Sequence, residues 1–292
     1  MSWNSPVPPP PPPVLPSSSS TPPKLTRQST YVTQICDQED VRKSFHERLE
    51  KNVLKRNGKK IVVSMNKEVT PVLQDGPSCG LVAVVMAAQL FDTNLTFDCI
   101  FNAAKQKGFT RQGEMFSASN MKQLVEDMIS DTRVTSLDMD TGPELLINHL
   151  VKGDVCLIPY DSDFNFEPCN KKGHKAHWAL LTGFGLVLDS SVSDKKGLTM
   201  DDGCVFNVAS DTILSNNLLD DAEDILVYGL QGKSQYPGVW SLSSIIASNR
   251  NLVEVDPNKQ DDDIGYILPE EGIDKALCSK ALVLSRGNLN PQ

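Results

Sequence analysis

A cysteine at the start of an apolar run is the residue of this chain whose setting best suits nucleophilic chemistry. It lies in the segment Gln74-Asp75-Gly76-Pro77-Ser78-Cys79-Gly80, and residues 81–90 follow almost without a polar side chain. Gly76 and Pro77 interrupt any preceding element, so Cys79 falls at or just before the first residue of a helix. Unpaired N–H groups and the positive end of the helix dipole there favour the thiolate, which is the nucleophilic form of cysteine.

Two neighbours of Cys79 fit the same chemistry. The Gln74 amide and the Cys79 N–H can together hold a developing oxyanion, and loss of one such donor typically costs about 100 to 1000-fold in rate. Gly80 would let a substrate backbone approach the sulfur closely. The segment therefore favours a cysteine peptidase. The alternative is a structural cysteine at the start of a core helix, since unpaired cysteines are among the most buried residues.

A cysteine peptidase needs a general base and a structural cysteine does not. The chain has four histidines that could be this base. His46 lies in a charged segment and His149 in a predicted helix, and both are more simply interpreted as surface or packing residues. His177 directly precedes the apolar segment Trp178-Ala179-Leu180-Leu181-Thr182-Gly183-Phe184. It therefore stands where a loop meets a predicted strand, a usual place for functional side chains.

Asp189 is predicted to orient His177. If the chain turns near Gly183 to Gly185, a hairpin places Asp189 roughly opposite His177, and facing residues have Cβ atoms about 4.5 to 5.5 Å apart. The carboxylate would then accept from one ring nitrogen while the other takes the Cys79 proton. The alternative is an aspartate that only forms a turn after a strand.

A metal site is a further alternative for the histidine region. Cys169, His174 and His177 could ligate zinc if Cys156 or Cys204 supplied a fourth ligand. Their spacing, Cys-x4-His-x2-His, matches no usual zinc finger. We therefore predict neither a metal nor another cofactor.

The elements that must position these residues change in character along the chain. The first half is mainly helical, with helices predicted over residues 38–57, 97–107, 119–129 and 141–152 and a short strand at 61–64. The second half contains short apolar and β-branched runs, predicted as strands over 154–160, 178–184, 185–188, 203–208 and 225–230 and a late helix over 240–247. This order predicts an α+β fold in which the Cys79 helix packs on an antiparallel sheet.

Length, charge and cysteine content narrow the functional class. The chain has 292 residues, 39% of them hydrophobic, which suffices for a full core. Its net charge of −9 argues against a nucleic-acid surface, and it has no apolar stretch near the roughly 20 residues that span a bilayer. Seven scattered cysteines without a secretory h-region predict a reduced, cytoplasmic protein.

The first thirty residues differ in composition from the rest. They contain Pro6, the run from Pro8 to Pro13, and four serines from Ser17 to Ser20. Such a segment cannot form a packed core and is predicted to be disordered, with local polyproline II. It presents a ligand for SH3, WW, EVH1 or profilin-type grooves, or else is an inert spacer. Residues 31–292 are predicted as one peptidase domain with a catalytic core of about residues 70–255.

The motifs also carry a family resemblance. Gln74 with Ser78-Cys79-Gly80, then Ala176-His177-Trp178-Ala179-Leu180-Leu181-Thr182-Gly183, then Val187-Leu188-Asp189, resemble the C39-like branch of papain-fold cysteine peptidases. Within that branch the chain is most similar, from about residue 30 onward, to the peptidases that mature actin. The resemblance implies a cofactor-free aminopeptidase that removes the N-terminal acetylated Met or Cys from immature actin.

The resemblance also implies roles and partners. Cys79 would be the nucleophile, His177 the general base and acid, Asp189 the orienter and Gln74 the oxyanion donor. The proline-rich head would contact profilin. Mature actin begins with acidic residues, so we expect the three lysines before His177 to steer this substrate, although they could equally form a solvated loop. They are Lys171, Lys172 and Lys175.

Two other functions remain open from the sequence. A thiol peptidase of this fold could act on another protein tail, such as a ubiquitin-like C-terminus. A non-catalytic profilin or actin adaptor would keep the proline-rich head while tolerating the loss of Cys79.

Overall fold

The structure is a computed structural model that describes residues 38–192, 204–257 and 265–287. The described helices are α1 Gln38–Leu54, α2 Cys79–Ala88, α3 Phe97–Gln106, α4 Ala118–Met128, α5 Pro143–Val151, α6 Ser210–Ser215, α7 Leu242–Arg250 and α8 Ile273–Ala276. The described strands are β1 Lys60–Asn66, β2 Thr132–Asp138, β3 Val155–Asp161, β4 Ala176–Asp189, β5 Val205–Asn207, β6 Asp224–Leu230, β7 Gly238–Ser241 and β8 Lys280–Arg286. No helix in these ranges is long and apolar enough to cross a membrane.

The described strands form one mixed sheet around β4. Its order is β2-β8-β3-β4-β1-β5, and β6 pairs with both β4 and β7. Neighbouring strands are antiparallel except β1 and β5, which are parallel. The α+β class is therefore confirmed, whereas a purely antiparallel sheet is wrong because of this one parallel pair.

Helices cover both faces of the sheet. The buried apolar side chains of α2, α3 and α4 pack with Trp178 and Leu180 of β4. Those of α5 and α7 pack with Ala179 and Leu181, the side chains that alternate with them along the strand. Because both faces are covered, twelve consecutive residues of β4 are buried and the strand shows an apolar run without polar alternation. This strand lies beneath α2, and its first residues carry His177.

Several predicted elements are confirmed and several need correction. The helices of the first half and the strands at 61–64, 154–160, 203–208 and 225–230 are present with slightly different ends. The late helix predicted over 240–247 is present as α7 and begins two residues later, because Trp240 and Ser241 end β7. The strands β2 and β8 are additions that the sequence patterns do not predict. Strand β2 lies at the end of the sheet order, and only Val134 and Leu137 of it are buried, so its sequence lacks a strong apolar pattern. The proline-rich segment 1–30 lies outside the described residues.

Candidate active site

Cys79 is the first residue of a helix that is buried along its whole length. All ten residues of α2 are buried, as expected for a helix that is apolar all round. Gly76, at φ +64°, takes the left-handed conformation of the turn before it. The Ser78 hydroxyl donates to the Asp75 carbonyl at 2.8 Å and does not cap α2. The first N–H groups of the helix therefore have no side-chain cap from Ser78, and the Gly80 N–H is one that bonds the Cys79 sulfur.

Cys79 and His177 form a buried, mutually polarising pair. Burial raises the pKa of the Cys79 thiol, but the charge of His177, a hydrogen bond from it, and the Trp178 and Gly80 N–H groups together hold that pKa below its usual value. Burial lowers the pKa of His177, but the Cys79 charge, their hydrogen bond and a backbone carbonyl raise it overall. The surroundings therefore favour thiolate and imidazolium.

The group that orients His177 is a backbone carbonyl. His177 Nε2 lies 2.7 Å from the carbonyl oxygen of Gln231, at the end of β6. Since a carbonyl only accepts, Nε2 carries the hydrogen and the other ring nitrogen is left for the sulfur. The rings of Tyr160 and Phe166 lie 5.7 and 5.3 Å from the His177 ring and confine it. The tautomer suited to proton transfer is thus fixed without a side-chain carboxylate.

Asp189 does not orient His177, and the predicted hairpin is wrong. Residues 176–189 form one continuous strand, so Asp189 and His177 lie twelve residues apart, or about 40 Å at 3.3 Å per residue. Asp189 instead bonds Ser191 and Lys60, and these contacts lower its pKa to about 2. The glycine at 183 serves close packing of β1, since a Cβ there would lie 2.6 Å from the Asn66 Cα.

The variant Asp189→Asn is therefore expected to keep wild-type kcat/KM within about twofold. Its carboxylate contacts Lys60 and the next turn, and such solvent-screened surface pairs contribute little to stability. Peptide turnover at pH 7 measures the effect. A loss of a hundredfold or more, with the unfolding temperature unchanged, would restore Asp189 to the catalytic site.

Gln74 lines the same cavity as Cys79 and His177. Its backbone is held by Gly232, the residue that follows Gln231. The Gln74 N–H donates to the Gly232 carbonyl at 2.7 Å, and Gln74 Nε2 donates to the Gly76 carbonyl at 2.9 Å. An amide has two N–H bonds, so one hydrogen of Nε2 remains for a substrate oxygen. Gln74, Cys79 and His177 line one cavity of about 410 Å³. Two consecutive carbonyls therefore hold the two predicted functional residues: the Gln231 carbonyl holds His177, and the Gly232 carbonyl holds Gln74.

Comparison with known proteins bears on this arrangement. The family model described as "Actin maturation protease-like, C-terminal domain" matches residues 69–185, which include Gln74, Cys79 and His177. The actin maturation protease of Danio rerio is 38% identical over 225 residues, covering 75% of this chain and 73% of the relative. This chain belongs to the actin maturation protease family.

Other actin maturation proteases give the same result. The protein of Xenopus tropicalis is 32% identical over 274 residues, covering 89% of this chain and 87% of the relative. The protein of Homo sapiens is 34% identical over 228 residues, covering 75% of this chain and 64% of the relative. No solved structure matches the chain significantly.

In this member of the actin maturation protease family, Gly80 faces the core and not the cavity. A Cβ at position 80 would lie 2.5 Å from Met121 Cε, 3.1 Å from Met115 Cβ and 3.1 Å from Trp178 Cδ1. The predicted role in letting substrate approach is therefore wrong. Glycine at this position allows the first turn of α2 to pack closely against β4 and α4.

The three predicted substrate-binding lysines have different surroundings. Lys175 lines the cavity, and its Nζ lies 3.6 Å from the centre of the exposed Phe164 ring. Lys171 Nζ lies 5.3 Å from the same ring. Lys172 instead pairs with Glu254 at 3.1 Å. Only Lys175 thus combines a place in the cavity with a charge that no described carboxylate pairs within salt-bridge distance.

The zinc grouping considered from the sequence is not assembled. His174 Nε2 lies 3.4 Å from Glu254, while His177 Nε2 faces the Gln231 carbonyl. Burial raises the pKa of the Cys156 thiol to about 12, which disfavours the thiolate that zinc requires. Within the part of the chain that the structure describes, no group of three or more His, Cys, Asp or Glu could hold a metal ion.

One side of the cavity comes from segments that sequence reasoning left unassigned. It is lined by Glu114, Met115, Phe116, Tyr266 and Leu277. The Trp178 indole N–H donates to the Met115 carbonyl at 2.8 Å and ties this side to the strand that carries His177. No motif in the sequence marks these residues, and the only sequence signal among them is Glu114, a glutamate in a polar loop that contains Gly113.

Proposed function

We propose that this protein is a cysteine-type aminopeptidase with a papain-like arrangement, and that it removes the N-terminal acetylated Met or Cys from immature actin. The observation that carries the proposal is the buried Cys79–His177 pair at the N-terminus of α2, which favours thiolate and imidazolium. The names of the relatives, which are proteases of actin maturation, supply the substrate.

In the acylation step the Cys79 sulfur attacks the carbonyl carbon of the acetylated first residue. As the S–C bond forms, the carbonyl electron pair moves to oxygen, and the Cys79 N–H and the second Nε2 hydrogen of Gln74 stabilise the oxyanion. The C–N bond then breaks, and His177 gives its proton to the leaving amine of the shortened actin. The acetylated residue remains on the sulfur as a thioester.

In the deacylation step water replaces the amine. His177 takes a proton from the water as its oxygen attacks the thioester carbonyl, and the same donors stabilise the second oxyanion. The S–C bond then breaks, which releases the acetylated amino acid and restores the thiolate. Throughout, the Gln231 carbonyl keeps the Nε2 hydrogen in place. Because it carries no full charge, it stabilises the imidazolium less than a carboxylate would, and the thiolate supplies most of that stabilisation.

The test is intact-mass analysis of N-terminally acetylated immature actin after incubation with wild-type protein or with Cys79→Ala. Both are used in reducing buffer, with and without a chelator and with and without profilin. We expect loss of one acetylated residue with wild type only, unaffected by the chelator. An unchanged mass under every condition would refute the actin assignment, and processing by Cys79→Ala would refute the cysteine mechanism.

We further propose that the proline-rich segment 1–30 binds profilin and that the protein acts in the cytoplasm. A pure proline run is a preformed ligand for aromatic grooves. Deletion of residues 1–30 is expected to abolish profilin binding in titration calorimetry while leaving turnover of short peptides unchanged. If the adaptor alternative were correct, the full-length chain would bind profilin but process nothing.

Lys175 is expected to steer an acidic segment behind the scissile bond. Replacing Lys175 by glutamate should lower kcat/KM for an acidic peptide by about three- to tenfold at low salt, and the difference should shrink as salt screens the charge. The matched control is Lys172→Glu in the same loop, whose charge is paired with Glu254 and should matter less. Equal, salt-independent kcat/KM for both variants would leave the loop without a steering role.

A further inference from the structure

The unassigned side of the cavity is apolar and aromatic. The rings of Phe116 and Tyr266 lie 6.0 Å apart at 64°, and Met115 and Leu277 are buried beside them. Phe116 and Tyr266 are themselves only partly buried, and both line the cavity, so part of each side chain is left for a ligand to cover. A small apolar side chain would complete the burial of this surface.

A buried carboxylate holds the two segments of this surface together. Glu114 is 2% exposed, and its Oε2 accepts from the Thr110 hydroxyl at 2.9 Å and the Gln112 N–H at 2.8 Å. Its Oε1 accepts from the Arg111 N–H and the Ile267 N–H, each at 2.9 Å. Glu114 thereby fastens the residue after Tyr266 to the loop before Met115, across more than 150 positions of sequence. Four hydrogen-bond donors to one carboxylate offset much of the free-energy cost of burying it.

The proposed reaction requires the cavity to have two parts, one for the leaving amine and one for the residue that is removed. The leaving amine must lie beside His177, which protonates it, and this part of the lining comes from the loop between β3 and β4, including Ser162, Phe166 and Lys175. The acyl residue must extend from the sulfur away from that group. Outside that loop, the apolar and aromatic part of the lining includes Met115, Phe116, Tyr266 and Leu277.

We propose that Phe116 and Tyr266 form the pocket for the side chain of the residue that is removed, and that Glu114 positions Tyr266 in it. The inference rests on the proposed function and adds the residues that determine specificity. An unbranched thioether or thiol side chain suits such a pocket because sulfur makes favourable contacts with aromatic rings. A β-branched or charged first residue would fit it poorly.

The pocket is tested by binding, so that its failure is distinguishable from failure of the catalytic proposal. The full chain carrying Cys79→Ala is titrated with two peptides that differ only in the first residue, acetyl-Met or acetyl-Ala. We expect about tenfold or greater preference for acetyl-Met, as for a side chain that fills an apolar pocket. Adding Tyr266→Ala should reduce that preference to near unity.

Phe164→Ala is the matched control, because Phe164 is an exposed aromatic residue that contacts lysines of the other loop. It should leave the acetyl-Met preference intact. The pocket assignment is wrong if Tyr266→Ala keeps the preference for acetyl-Met over acetyl-Ala, or if Phe164→Ala reduces that preference equally. If wild type cleaves nothing but the binding preference depends on Tyr266, the pocket stands and the catalytic proposal fails.

Glu114→Gln provides a second variant that separates positioning from general damage. A glutamine offers one acceptor oxygen in place of two, so the bonds to one oxygen are lost. In the Cys79→Ala chain we expect Glu114→Gln to lower the acetyl-Met preference severalfold. In the chain that keeps Cys79, Glu114→Gln should leave the rate of Cys79 alkylation by iodoacetamide at the wild-type value, since this small reagent needs no pocket. Wild-type preference in a folded Glu114→Gln protein would refute the positioning role.

Discussion

Replacing His177 by alanine is expected to lower peptide turnover by about a thousandfold or more, with the fold retained. The variant loses the proposed general base and also the charge that favours the thiolate of Cys79. Burial, the largest single influence on the Cys79 thiol, then acts with only the backbone N–H groups of Trp178 and Gly80 against it. The pKa of Cys79 should therefore rise above its wild-type value.

The rate of Cys79 alkylation as a function of pH measures this change directly. A thiol reacts as thiolate, so its alkylation rate rises through its pKa. Wild type should alkylate at pH values below those of an ordinary thiol, because the Cys79 pKa is lowered, and His177→Ala should move the profile to higher pH. The control is His149→Ala. In the wild-type protein His149 lies on α5, and its ring pairs with Asp154 at 2.8 Å. Identical profiles for wild type and His177→Ala would show that the two side chains are not coupled.

Replacing Gly232 by alanine is expected to lower turnover by about a hundredfold or more, the cost typical of losing an oxyanion donor. Gly232 has φ +75°, and an added Cβ would lie 3.0 Å from Gln74 Oε1 and 3.3 Å from Val82 Cγ1. Its carbonyl holds the Gln74 backbone, and the carbonyl before it orients His177. A shift here displaces the base and the oxyanion donor together.

The control variant Gly108→Ala separates loss of stability by backbone strain from displacement of the active-site residues. Gly108 has φ +73°, but a Cβ there would meet nothing within 4 Å. Both variants should lose about 1 to 3 kcal/mol of stability from the left-handed backbone. Only Gly232→Ala should lose activity, measured as kcat on an acetylated peptide alongside chemical denaturation. Equal activities at equal stability would mean that the turn at 231–232 does not position the site.

The helix that carries Cys79 could be predicted because its causes are local. Gly76 and Pro77 form the turn, and the apolar residues after Cys79 can only be buried. His177 could be located because it directly precedes an apolar strand. The prediction of these two residues as a candidate pair needs only their sequence positions, with no knowledge of which strands pair.

Asp189 shows where the same reasoning failed. Gly183 and Gly185 inside an apolar run favour a turn when only the sequence is considered, since glycine is common in turns. In the structure they allow close contacts, with Met65 and Asn66 for Gly183 and with Val62 and Tyr228 for Gly185. A glycine that relieves crowding and a glycine that turns the chain look alike in one sequence, because the crowding comes from distant residues.

The sequence by itself determined the helix that begins at Cys79, the position of His177 at the start of a buried strand, and the α+β class. Only the tertiary structure decided that the Gln231 carbonyl orients His177, that Gly80 faces the core, and that Glu114 fastens Tyr266 beside the cavity. The physical reason is the range of the interactions. A turn and a helix start depend on neighbouring residues. Strand pairing and the contacts of Glu114 instead join segments that can lie more than 150 residues apart and meet only in the folded protein.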